Sequence, residues 1–184
     1  MSELYRTIVA DPPWQYQKDT SDGCKPGTAE RHYPTMSMRD IAALPVAPLA
    51  EDNAHLYLWV TNPRLDGDRH DHTFTPFDVV RAWGFEYKTM LTWAKDGAPG
   101  LGWYFRASTE HVLFAVRGRL PIPPESRERN LFHGPKARHS EKPANFMDMV
   151  ERVSPGPYIE LFARRQRLGW DTWGNECLTH VSLP

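Results

Sequence analysis

Short apolar runs separated by polar stretches set the first reading of the chain. The run "TIVA" at residues 7–10 is β-branched and stops on Asp11, which predicts a buried strand with a carboxylate at its carboxyl end. A second buried strand is predicted over "AHLYLWVTN" (54–62); further strands are predicted over "EYKTMLTWAK" (86–95) and "EHVLFAVRG" (110–118), and a last apolar one over "YIELFARR" (158–165). Between them, "SMRDIAAL" reads as a short helix with Ser37 as its N-cap. "TPFDVVRAWGF" reads as a helix that starts at Thr75-Pro76 and stops at Gly84. "PANFMDMVERV" places Phe146, Met149, Val150 and Val153 on one helical stripe, halted by "SPGP". The stretches at 15–36, 96–109 and 119–142 are too polar, or too rich in Gly and Pro, to be regular and read as loops. Strands alternating with helices imply an α/β fold with a largely parallel sheet, whose ligands sit beyond the carboxyl ends of the strands. Asp11, Asn62, Lys95 and Arg164 all fall at or just past such ends.

Length and composition narrow this picture. At 184 residues the chain suits a single domain, 1–184. Its formal net charge of -1 gives no global field to draw a polyanion, so nucleic-acid contact would need a local patch. Arg117, Arg119, Arg127, Arg129, Lys136, Arg138 and Lys142, with Phe132 and His133 interleaved, offer one. Two cysteines, Cys24 and Cys177, suggest a reducing compartment, with the cytoplasm expected. Neither a leader pattern nor a run long enough to cross a membrane is visible, so no membrane association is expected. "DGDRHDHTF" (66–74) carries His and Asp side chains, but His70 and His72 lie two apart, which matches no zinc spacing; a polar surface loop is expected and no metal.

The stretch "DPPW" carries the chemistry. Pro12 and Pro13 have no N–H and a fixed φ, so the backbone after Asp11 is stiff and presents carbonyl acceptors beside a carboxylate. A site made of acceptors suits a ligand amine with two N–H donors, such as the exocyclic amine of adenine or cytosine, and Trp14 could stack on the base. Together with "HYPTMSMRDI", "LYLWVTN", "WGFEYKTMLTWAK", "STEHVLFAVRG", "HSEKP", "MVERVSPGPYIELFAR" and "WGNE", in this order from about residue 7 to residue 176, the string resembles the adenine-N6 methyltransferases of the MT-A70 family.

That resemblance implies a Rossmann-like, S-adenosylmethionine-dependent methyltransferase sheet with helices on both faces, the catalytic motif early in the chain and the cofactor motif late. It accounts for the absence of a G-x-G-x-x-G fingerprint after the first strand. It assigns catalysis to Asp11, Pro12, Pro13 and Trp14, and substrate contacts to Trp14, Tyr33 and Lys95. It assigns the cofactor to Asp11, Lys142, Glu160, Arg164, Gln166, Asn175 and Glu176. After Arg164 the chain reads "RQR", where the mRNA enzyme has a His-Asn pair, so the roles of Gln166 and Arg167 depart from the family pattern. The implied reaction is methylation of the adenine N6 amine in DNA, favoured over RNA because long family extensions are absent. A homodimer or a partner subunit could supply further grip on the strand. The competing reading is a noncatalytic nucleic-acid-binding subunit, against which the intact "DPPW", Lys142 and Asn175 stand.

Overall fold

The computed structural model describes residues 4–15, 35–68, 72–100, 104–135, 141–174, 177 and 181–183. In chain order the regular elements are β1 (Tyr5–Ala10), α1 (Met38–Ala42), β2 (Ala50–Val60), α2 (Pro76–Ala82), β3 (Glu86–Asp96), β4 (Thr109–Arg117), β5 (Leu131–Pro135), α3 (Ala144–Val153), β6 (Tyr158–Leu161) and β7 (Trp170–Trp173). The seven strands form one sheet in the order β5-β3-β4-β2-β1-β6-β7. Strand β4 is antiparallel to both its neighbours, β2 and β3, while every other pairing is parallel. Because β4 follows β3 directly and pairs with it, the two form a long hairpin inside an otherwise parallel sheet.

Side chains alternate across the sheet and build two apolar layers. Ile8, Ala10, Leu56, Leu58, Leu113, Ala115, Ile159 and Leu161 meet α1 and α2 through Met38, Ile41, Val79, Val80 and Trp83. On the other face Val9, Tyr57, Trp59, Trp93, Val112 and Phe114 meet α3 through Phe146, Met149 and Val150. Helices therefore cover both faces, as an α/β sheet with near-continuous apolar strands requires.

The helix signals behave as their chemistry dictates. Ser37 Oγ accepts from the Asp40 N–H at the start of α1. Asp78 reaches back to the Thr75 N–H at 2.8 Å at the start of α2, and Gly84 (φ 82°) ends that helix in a conformation disfavoured for a side chain. Two strands were not expected from the sequence. The β5 residues "LFHGP" are mostly exposed at a sheet edge and contain Gly and Pro, and β7 has four residues, so neither carries a strand-length apolar pattern. The last predicted strand is shorter than its apolar run: β6 ends at Leu161, because Phe162 turns into the left-handed region (φ 62°). Among the described residues no helix is long and apolar enough to cross a membrane.

Candidate active site

Asp11 leaves the carboxyl end of β1 on the face that carries Val9 and Trp59, and its N–H points to the Leu161 carbonyl of β6 at 3.4 Å. The loop after it is held by several bonds. Trp14 N–H closes on the Pro12 carbonyl (2.8 Å), Met36 N–H on the Pro13 carbonyl (2.9 Å), and Gln15 N–H on the Met36 carbonyl (3.0 Å). Trp14 itself is 3% exposed and donates its indole N–H to the Trp59 carbonyl at 2.9 Å. The expectation of an open stacking surface is corrected here: the ring is a core anchor that fixes the loop onto β2, because its apolar area and its one donor are both satisfied inside. The Pro12 carbonyl already takes one bond, and as a carbonyl oxygen it can take a second.

Beside Asp11 runs a chain of alternating charges. Lys142 Nζ lies 2.8 Å from Asp11 Oδ1 and 3.3 Å from Glu110 Oε2, and Lys95 Nζ pairs with Glu110 Oε1. The reversed direction of β4 explains the assembly. Its first residues stand at the carboxyl ends of the parallel strands, so Glu110 is opposite Trp93, near the end of β3, on the layer that also holds Val112 and Phe114. The rings of Trp59 and Trp93, edge to face at 6.0 Å, each carry one of the two ammonium groups at 5.1 Å, Lys142 over Trp59 and Lys95 over Trp93. Burial pushes the Asp11 carboxyl above the usual range, Glu110 adds to this, and the Lys142 ammonium opposes it. Burial also works against the charges on Lys142 and Glu110. For Lys142 the two carboxylates outweigh it and hold the ammonium protonated; for Glu110 the two lysines outweigh it and keep the carboxyl low. Glu110 was not singled out by the sequence. The signal that could have found it is a charge opening an otherwise apolar run, in phase with the layer facing α3.

The placement of Lys142 depends on the unforeseen β5. Gly134 of that strand packs so closely on Pro143 that an added Cβ would lie 2.8 Å from the proline Cβ. Asn145 donates to the His133 carbonyl at 2.8 Å, and the Trp93 indole to the Gly134 carbonyl at 3.0 Å. Edge strand, helix start and lysine are thus one unit.

Asp11, Lys142, Glu160, Arg164 and Gln166, all assigned from the resemblance to the cofactor, line one open cleft between β1, β6 and α3, with Trp59, Phe146 and Phe162 as apolar wall. Glu160 is pushed up to about 7, by burial first and then by the negative charge of Asp11. Arg167, at the departure from the family pattern, turns to α3. It binds Glu151 through Nε (2.7 Å) and Asp148 through Nη2 (2.6 Å), and Glu151 also accepts the Trp170 indole N–H (2.7 Å). Lys95 sits in the charge chain. Tyr33, Asn175 and Glu176 lie outside the described residues.

Among its described residues the expected basic patch is divided: Arg127, Arg129 and Phe132 line one cleft, while Arg117 and Lys142 are engaged elsewhere. Arg117 points into the carbonyls of Ala47 and Ala50 at the amino end of β2, the end of the sheet away from Asp11, and Lys142 is held in the charge chain. Arg127 turns back to the Ile122 carbonyl, and Lys136 and Arg138 lie outside the described residues. Arg117 and Lys142 thus stand at opposite ends of the sheet, which their shared polar stretch in the sequence could not show. In the His/Asp stretch, Asp68 faces Arg64 and His72 faces Asp66; His70 and Asp71 lie outside the described residues.

Comparison with known proteins accords with this geometry. The MT-A70 family model matches residues 5–176. The chain is 34% identical to the type II methyltransferase M.MunI of a Mycoplasma species, over 94% of this chain and 77% of that protein. It is 28% identical to human N(6)-adenine-specific methyltransferase METTL4, over 96% of this chain and 38% of that one. It is 25% identical to METTL3, the human N(6)-adenosine-methyltransferase catalytic subunit, over 94% of this chain and 28% of that one. The chain thus spans well under half the length of both human relatives. A family match from β1 past β7, with the "DPPW" carboxylate standing at the carboxyl end of the sheet, makes this chain a methyltransferase of the MT-A70 family.

Proposed function

We propose that the protein methylates the exocyclic N6 amine of adenine in DNA with S-adenosylmethionine as donor. The observation that carries the reading is the Asp11-Pro12-Pro13 loop: a half-buried carboxylate and proline carbonyls fixed beyond the end of β1, a set of acceptors with few donors. DNA is preferred over RNA because M.MunI, the relative that this chain spans to 77%, is a type II methyltransferase. The donor set of the cleft suits the cofactor. Lys142 and Arg164 match its carboxylate, Asp11 and Glu160 its positive charges and ribose hydroxyls, and Phe146 and Phe162 its apolar parts. When bound, that group supplies a methyl already activated by a positively charged sulfur.

The residues do the rest. An adenine amine is a poor nucleophile while its lone pair is delocalised into the ring. Asp11 and the Pro12 carbonyl accept its two N–H groups and favour the pyramidal nitrogen that can attack, by preorganised electrostatics. Lys142, shared between Asp11 and Glu110, holds the Asp11 carboxylate in place. The raised basicity of Asp11 suits it to hold the proton that the methylated amine must lose. Transfer of labelled methyl to native DNA, denatured DNA and RNA, with digestion to nucleosides, tests the reading. Label in N6-methyldeoxyadenosine is expected; label confined to RNA would reject DNA as the substrate.

A further inference from the structure

The β3–β4 hairpin ends in a tip that the site as described leaves unused. Its base is stapled where the strands end, with Lys95 N–H bonding the Ser108 carbonyl and Gly100 N–H the Ala107 carbonyl, both at 2.8 Å. Past the staples, Tyr104 is 96% and Phe105 89% exposed, and Arg106 beside them is exposed as well. Two adjacent bare aromatic rings are costly in water and mark an interaction surface. Their position is specific. The two arms of the hairpin carry Lys95 and Glu110, members of the charge chain that ends on Asp11.

We propose that Tyr104 and Phe105 form a wedge that enters the base stack of duplex DNA beside the target adenine, with Arg106 meeting the adjoining phosphate. This inference rests on the reading of DNA as substrate. The Asp11 acceptors can reach an adenine amine only when the base has left the helix, and extrusion costs stacking on both sides of the gap. An aromatic side chain placed in the stack restores part of that contact, and the cationic neighbour complements the strand charge. The nearly neutral chain needs such a local device, since its net charge of -1 supplies no general attraction.

The test compares wild type with the Tyr104→Ala/Phe105→Ala chain on one genomic DNA, native and heat-denatured, with S-adenosylmethionine affinity measured by calorimetry. The expected result is a native-to-denatured activity ratio lowered about tenfold or more, with cofactor affinity unchanged. A ratio that does not change, or lost activity explained by a dimer falling to monomer in sedimentation, overturns the wedge. If the wild type methylates neither DNA, the DNA reading fails separately, and anisotropy of a labelled duplex decides the wedge: equal affinity of both chains overturns it, and a tenfold or larger drop confined to the variant supports it.

Discussion

In the proposed reaction Asp11 has two tasks that pull its chemistry in opposite directions. It must stay ionised to accept an amine, yet burial raises its proton affinity, and Lys142 at 2.8 Å keeps the balance. Asp11→Asn keeps the shape of the side chain and removes its charge. Methyl transfer is expected to fall by about 10²–10³-fold while the melting temperature stays near that of the wild type, because Lys142 retains Glu110. Wild-type turnover in this variant would remove Asp11 from the mechanism. The residue scale also shows what the sequence concealed. Asp11 announced itself through its neighbours in the chain, whereas Glu110 matters through partners 15 and 32 positions away, Lys95 and Lys142.

Elements place these residues, and their ends matter more than their middles. At α2, Asp78 bonds the Thr75 N–H and hydroxyl, each at 2.8 Å, and these bonds, with Arg81, lower its carboxyl to about 2. Asp78→Ala is expected to cost about 1 kcal/mol in urea unfolding. Because the folded-state pKa is depressed, the contribution is present above the ordinary value of 3.8 and is lost as pH falls toward about 2, so wild type and variant should converge in acid. A difference that persists at pH 2 would assign the effect to something other than the carboxylate. Helix starts of this kind are local and were legible from Thr75-Pro76. Strand β5 was not, since its place is fixed by pairing with β3 and by Gly134 against Pro143, neither of which leaves a pattern within five residues.

For the whole molecule, the cleft concentrates charge that the fold must tolerate. Glu160, raised from 4.5 to about 7, binds a proton in the folded chain that the unfolded chain has released. Stability from this group is therefore complete below pH 4.5 and declines as pH rises to about 7, by about 3 kcal/mol in all. Cofactor-free Glu160→Gln should be the more stable protein above pH 7, with the gap closing toward pH 4.5, as read by thermal or urea unfolding. Parallel stability profiles for the two proteins would show that Glu160 is not the titrating group. Placing such a group beside Asp11 costs stability at neutral pH; in the proposed reaction it offers an acceptor to ribose hydroxyls.

By itself the sequence determined the elements with strong local patterns: the apolar strands, the capped helices, and the stiff loop of Asp11, Pro12 and Pro13, whose acceptors stand next to one another in the chain. The family and its permuted order were legible for the same reason, as short strings keep their identity along the chain. The tertiary structure decided what depends on neighbours distant in sequence. It reversed β4 and so brought Glu110 to the site, turned Trp14 inward onto Trp59, set Arg117 and Lys142 at opposite ends of the sheet, and drew Arg167 onto α3. A local pattern records which face of an element is apolar; it does not record which strand end meets which, and the charges of this site are assembled by that second choice.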